Sequence, residues 1–205
     1  MKEAIQNTAT NLFLRLGFKS VTMDDIAEEM GISKKTIYAH YSTKSKLIEG
    51  SVWQLMEEIN TGIESLRAQK LNPIVENFEV KVYVQRMLKN EKTSPQFQLK
   101  KYYPKIYNTI SDKKFEIAQR SIIENLERGI RSGHYRSNLS ISFVSRLHFA
   151  GMLGVKDKRL FPEEEYSNNK LMDYLLEYHL RAICTPKGLE VLEDLLIKNK
   201  EQNEI

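Results

Sequence analysis

Of its 205 residues only one is a cysteine, Cys184, so no intramolecular disulfide braces the chain and a reducing interior suits it. No apolar run reaches the 18 residues that a membrane-spanning helix needs. The opening stretch MKEAIQNTATNLF lacks the unbroken apolar core of a signal peptide. Cytoplasmic residence without a membrane partner is the resulting expectation. Five prolines, nine glycines and few alternating apolar runs disfavour a sheet and point to an all-α chain. Phosphate loops, Gly-x-Ser-x-Gly and Gly-rich dinucleotide fingerprints are all missing. The four histidines (His40, His134, His148 and His179) show no His-x-x-x-His spacing, and Cys184 has no short-range ligand partner. The expectation is a non-enzyme with no cofactor and no metal.

What is present reads as an ordinary globular composition, 41% hydrophobic and 28% charged, with a net charge of only +4. Total charge therefore does not suggest nucleic acid, but its distribution does. Residues 22–47, TMDDIAEEMGISKKTIYAHYSTKSKL, read as two short helices joined by a tight turn. Thr22 and Asp25 form an [ST]-x-x-[DE] capping signal, and Ile26, Ala27 and Met30 lay an apolar stripe on the first helix. Ala27 is small where two helices would cross. Gly31 supplies the left-handed turn, and Ser33 is a good N-cap for the second helix. Ile37 and Tyr41 face inward, leaving Lys34, Lys35, Thr36, Tyr38 and His40 to point elsewhere. From Met30 to Ile48 there are four lysines and no carboxylate. A helix-turn-helix that sets its second helix in a DNA major groove needs this arrangement. The competing reading is a helical hairpin with a solvated lysine face; Tyr38 as a core aromatic and His40 as a plain surface residue stay open beside it.

A helix over residues 2–16, with Ile5, Thr8, Ala9, Leu12, Phe13 and Leu16 on one face and stopped by Gly17, supplies the floor for this pair. The runs IQNTATNLFLRLGF and VTMDDIAEEMGISKKTIYAHYSTKSKL together resemble the N-terminal DNA-binding domain of the TetR family of bacterial transcriptional regulators. The resemblance covers about residues 2–48. It implies an all-helical homodimer that binds a palindromic operator in double-stranded DNA, with a variable C-terminal domain holding an effector pocket. It also implies phosphate contacts at Thr22 and Lys44, base and phosphate contacts from Ser33, Lys34, Lys35 and Thr36, and backbone contacts from Tyr38 and His40. Departures are Tyr41, where the family commonly has Phe, and Ser45 and Lys46, where it commonly has carboxylates, so Lys46 joins the expected contacts. With only Met1 and Lys2 ahead of the first helix, no long basic arm is expected.

Beyond residue 48 the periodicity predicts helices at about 43–70, 73–90, 96–103, 104–131, 140–156, 168–184 and 187–199, with a loop at 92–95. Glu163–Glu165 suit a helix N-terminus or a solvated acidic patch. The expected organisation is a helix-turn-helix domain over 1–47 and a helical ligand-binding and dimerisation domain over 48–205. Val144, Leu147, His148, Gly151 and Val155, with Leu171, Tyr174, Leu175, Tyr178 and Ala182, form stripes read as a dimer interface, the alternative being internal core. Gly151 would let a partner helix approach, and His148 and His179 would lie near one another. Met56, Tyr83, Met87, Tyr103 and Tyr107 belong to an aromatic- and methionine-rich middle region. With the resemblance, that region suggests a pocket for a small apolar or aromatic effector; plain core is the alternative. The expected function is a ligand-responsive dimeric repressor. A DNA-binding regulator without an inducer, an activator, and a helical protein-interaction module with a basic face remain beside it.

Overall fold

Local signals decide where most helices of this computed structural model begin and end. It describes residues 1–88 and 95–203. Among these the elements are α1 (Lys2–Leu16), α2 (Met23–Met30), α3 (Lys34–His40), α4 (Lys44–Ala68), α5 (Pro73–Met87), α6 (Pro95–Tyr102), α7 (Pro104–Arg131), α8 (Ile141–Gly154), α9 (Asn168–Ile183) and α10 (Pro186–Asn203). An isolated bridge between Tyr135 and Cys184 takes the place of any strand among the described residues. Prolines open α5, α7 and α10, where a missing N–H costs nothing. The expected extension of the fifth helix to Asn90 and the loop from Lys92 fall outside the described residues; Pro95, assigned to that loop, begins α6. Glu163, Glu164 and Glu165 do not enter a first helical turn. They form a separate turn in which Pro162 O accepts from the N–H groups of Glu165 and Tyr166, and Ser167 caps α9 instead.

The chain divides into two compact units, residues 1–62 with 84–114 and residues 63–83 with 115–205. In the first unit Ile5, Ala9, Leu12 and Phe13 of α1 meet Ile26 and Ala27 of α2, Ile37 of α3, and Leu47 and Ile48 of α4. Phe13 and Phe18 pack with their rings tilted and their centroids 5.2 Å apart. Leu16, expected inward, is 46% exposed, while Leu14 is buried in its stead. Leu99 of α6 closes this core, with Tyr103, Ile106 and Tyr107 packed on it. Gly17 stops α1 at φ 88°, a backbone angle that residues with a Cβ rarely adopt, so the turn needs glycine.

In the second unit Ile74, Phe78, Leu126, Tyr135, Leu180 and Leu192 form the core. A polar network runs through it. Glu76, 2% exposed, accepts from Asn125 Nδ2 at 2.9 Å and pairs with Arg128. Asn125 Oδ1 accepts from Asn77 Nδ2 and from the Tyr135 hydroxyl. Every buried polar side chain named here has a partner, the condition under which such a network specifies a core instead of weakening it. Burial holds the Tyr135 hydroxyl well above its usual range.

Candidate nucleic-acid interface

The helix-turn-helix is built from reciprocal local bonds. Asp25 N–H donates to Thr22 Oγ1 at 3.1 Å and Thr22 N–H donates to Asp25 Oδ2 at 2.7 Å, a complete capping box. Those bonds from the Thr22 backbone and side chain hold the Asp25 carboxyl below its ordinary range. Gly31 turns the chain at φ 63° and ψ 31°, and Ile32 N–H returns to Ala27 O at 3.0 Å. Thr36 N–H donates to Ser33 Oγ, capping α3, and the two hydroxyls lie 2.8 Å apart. Ile37 is fully buried and Tyr41 5% exposed, so α3 is fixed by one apolar edge.

Its other residues stand where the sequence expected. Ser33, Lys34, Lys35, Tyr38 and His40 are exposed, with Thr36 half-buried. Tyr38, 43% exposed, is not a core aromatic. Thr22 is exposed at the start of α2, and Lys44 and Lys46 lie in the first turn of α4. Lys46 N–H donates to Thr43 Oγ1, so this hydroxyl caps α4.

The lysines are less unopposed than the sequence implied. Asp24 of α2 accepts from Lys34 Nζ at 2.8 Å, and this bond raises the Lys34 pKa. Glu49, one residue past the carboxylate-free run, pairs with Lys46 at 2.7 Å. Both carboxylates lie outside the stretch in which charge was counted, and one helical turn or a crossing helix brings them back. Lys35 makes no ion pair among the described residues. Lys44 is half-buried, its Nζ donating to Lys19 O at 3.3 Å; burial lowers its pKa, countered by Asp25.

The residues expected to line an effector pocket are distributed. Met56 is buried on α4, and Tyr103 and Tyr107 pack against the helix-turn-helix core. Met87 lines a cleft with α1 and α4, and Tyr83 belongs to the second unit. The polar lining of that cleft went unnoticed in the sequence, although Gln54 and Glu58 lie one helical turn apart.

The expected interface stripes split. Leu147, Tyr174 and Tyr178 are 58%, 59% and 74% exposed, joined by Phe143 at 63%. Val144 packs partly into the second core, Leu175 and Val155 are half-buried, and Leu171 is core at 4% exposure. A Cβ at Gly151 would meet Leu175 Cδ1 at 2.8 Å, so within the chain this glycine makes room for the Leu175 side chain of α9. His148 and His179 stack with centroids 3.9 Å apart. Burial lowers His148 to about 4 and His179 to about 3, the latter also through His148. Among the described residues no group of three or more His, Cys, Asp or Glu side chains could hold a metal ion, and no helix is long and apolar enough to cross a membrane.

Residues 5–50 match the sequence profile of the family described as bacterial regulatory proteins, tetR family. YvaF of Bacillus subtilis (strain 168), an uncharacterized HTH-type transcriptional regulator, is 41% identical over 59 residues, 29% of this chain and 30% of YvaF. IcaR of Staphylococcus aureus (strain Newman), a negative transcriptional regulator of the biofilm operon icaADBC, is 35% identical over 60 residues, 29% of this chain and 32% of IcaR. The chain thus matches about a third of the length of these curated relatives. The solved structure of a TetR-family transcriptional regulator from Agrobacterium tumefaciens superposes with a TM-score of 0.72 at 19% identity, covering 90% of this chain and 97% of that one. At that identity the likeness is one of fold.

Proposed function

We propose that the chain is, through residues 5–50, a member of the tetR family of bacterial regulatory proteins, and that it is a dimeric transcriptional repressor that releases a palindromic operator on binding a small molecule. Residues 1–47 are its DNA-binding domain and residues 48–205 its effector-binding and dimerisation domain. The observation that carries the reading is α3: capped at Ser33, anchored by Ile37, and exposing Lys34, Lys35, Tyr38 and His40 on one short helix.

In the major groove Lys34 or Lys35 donates to guanine O6 and N7, a contact worth about 1–3 kcal/mol of discrimination when bidentate. For Lys34 this means exchanging Asp24 for the base edge. Thr22, Ser33, Thr36, Tyr38, His40, Lys44 and Lys46 supply donors to phosphate oxygens, which fix register without reading sequence. Two half-sites lie about 34 Å apart along the duplex, so two copies of α3 are required. The exposed apolar side chains Phe143 and Leu147 of α8 and Tyr174 and Tyr178 of α9 support a two-fold four-helix contact between subunits.

IcaR is a negative transcriptional regulator, and this supports the same sign of control here. A small apolar or aromatic effector in the 48–205 domain would act by favouring a dimer whose two α3 helices no longer fit successive grooves. It can do so only as far as it binds that state more tightly than the DNA-bound one.

Duplex titration of single variants tests the assignment. Lys44→Ala weakens all sequences alike and flattens the salt dependence by about one phosphate equivalent, whereas Lys35→Ala also relaxes base preference. Equal losses for both variants on every sequence would reduce the interface to unspecific attraction.

A further inference from the structure

The first unit carries a second basic surface on α6, joined to the helix-turn-helix by the turn between α1 and α2. Lys19 N–H of that turn donates to Gln98 Oε1 of α6 at 3.0 Å. Lys19 O accepts from Lys44 Nζ at 3.3 Å. Lys19 therefore stands between α6 and the first turn of α4, three residues before Thr22. Leu99, buried in the first core, anchors α6 and leaves Phe97, Lys101 and Tyr102 exposed.

Two ammonium groups of this surface share one ring. Lys19 Nζ lies 5.2 Å and Lys101 Nζ 5.4 Å from the Tyr102 centroid. Lys101 Nζ is also 5.8 Å from the Phe97 centroid. A ring face attracts a cation at such distances, so the two like charges are gathered instead of dispersing. Lys100, one residue earlier, goes elsewhere: its Nζ lies 6.0 Å from the Tyr107 ring, which packs on the first core.

The gathered charges are not compensated by the chain. Among the described residues Lys19 and Lys101 make no ion pair, whereas Asp24 holds Lys34 and Glu49 holds Lys46. No Asp or Glu stands between Glu3 and Asp24, or from Lys92 to Ser111, so neither segment supplies a partner. Exposed, adjacent and unneutralised cations fit an anion that carries a row of charges. A duplex strand is such a row, with one phosphate per about 3.4 Å of axis. Continuity selects the duplex over an acidic protein, because a strand whose phosphate meets Lys44 continues past Lys19.

We propose that Lys19 and Lys101, gathered on Tyr102, bind neighbouring phosphates of the operator strand that Lys44 contacts, which extends the DNA interface onto α6. The proposal rests on the reading of α3 as a helix that enters a duplex. It adds affinity without base discrimination, because phosphates carry no sequence.

The test is titration of full-length protein with a palindromic duplex selected from random sequence, and with a scrambled one, at 50 and 200 mM salt. Each phosphate contact contributes about 0.9 to the slope of log K against log salt. Changing Lys19→Ala and Lys101→Ala together should therefore flatten the slope by about 1.8 per subunit bound. Between the two salt concentrations the parent should lose roughly tenfold more affinity per subunit than this double variant. The ratio of selected to scrambled affinity should be unchanged. Lys100→Ala removes the same charge one residue away and should flatten the slope less than Lys101→Ala does. Lys19→Arg with Lys101→Arg should restore the parent's slope. Ethylation of single duplex phosphates should reveal positions that inhibit the parent and no longer inhibit the double alanine variant. A slope equal to the parent's in that variant, or equal effects of Lys100→Ala and Lys101→Ala, would overturn the proposal and leave the reading of α3 intact. A parent that binds no duplex would overturn both.

Discussion

Replacing Leu147 by Ser probes the proposed subunit contact at one exposed side chain. Leu147 lies on α8 with 58% of its surface open, one helical turn from exposed Phe143, and α9 exposes Tyr174 and Tyr178. Fully burying a leucine stabilises by roughly 1.5–3 kcal/mol. Covering the remaining 58% of Leu147 is therefore worth about 0.9–1.7 kcal/mol per subunit. Two-fold symmetry uses the residue twice, so the dimer loses about 2–3.5 kcal/mol, or roughly 20- to 400-fold in dissociation constant. Being exposed within the chain, the substitution leaves the monomer's stability almost untouched. Sedimentation equilibrium across nanomolar to micromolar concentrations measures the shift, with thermal unfolding as the control for folding. A dissociation constant within twofold of the parent's would show that this face is not the contact. A parent chain that is monomeric at micromolar concentration would remove the dimer altogether.

Arg128→Met should cost about 3 kcal/mol in urea unfolding, because it strands the Glu76 carboxylate at 2% exposure; Glu76→Gln added to it should restore most of the loss, and no restoration would contradict the pairing. The His148–His179 stack predicts a pH effect of defined sign. Both are lowered from 6.5, to about 4 and about 3, so the unfolded chain binds more protons below 6.5. Stability is thus full above pH 6.5 and falls as pH drops toward 4 and 3; the decline should flatten in the His148→Gln, His179→Gln double variant, and an unchanged profile would refute the assignment. Tyr41→Phe removes a hydroxyl buried without a partner among the described residues, so the variant should equal the parent or gain up to about 1 kcal/mol. A loss larger than that in thermal unfolding would mean the hydroxyl is bonded.

The helix-turn-helix was readable because its determinants are local. Thr22 and Asp25, Gly31, and Ser33 with Thr36 each act across three residues or fewer, and all adopt the expected geometry. The limits of α7 were readable too, fixed by Pro104 and the Ser132–Gly133 break. What escaped depends on chain segments meeting at a distance. Asp24 reaches Lys34 from the neighbouring helix, and Leu99 completes a core formed mostly before residue 50. Gly129 makes room for Tyr135, since a Cβ would lie 1.9 Å from Tyr135 Cδ2, which no periodicity announces. A stripe likewise cannot say whose helix will cover it: Gly151 and Leu171 are used inside the chain, whereas Leu147 and Tyr178 are left open. The same ambiguity scattered the expected effector-pocket residues. Aromatic spacing marks an apolar face, and the distribution of Tyr103 and Tyr107 onto the first core shows that such a face need not enclose a cavity.

The most direct test of the account is the affinity of the purified chain for a palindromic duplex selected from random sequence, measured by fluorescence anisotropy at physiological salt beside a scrambled duplex of equal length. The account predicts a preference of about 10³-fold or more for the selected duplex, lost when one half-site is scrambled. Equal affinity for selected and scrambled duplexes would contradict it.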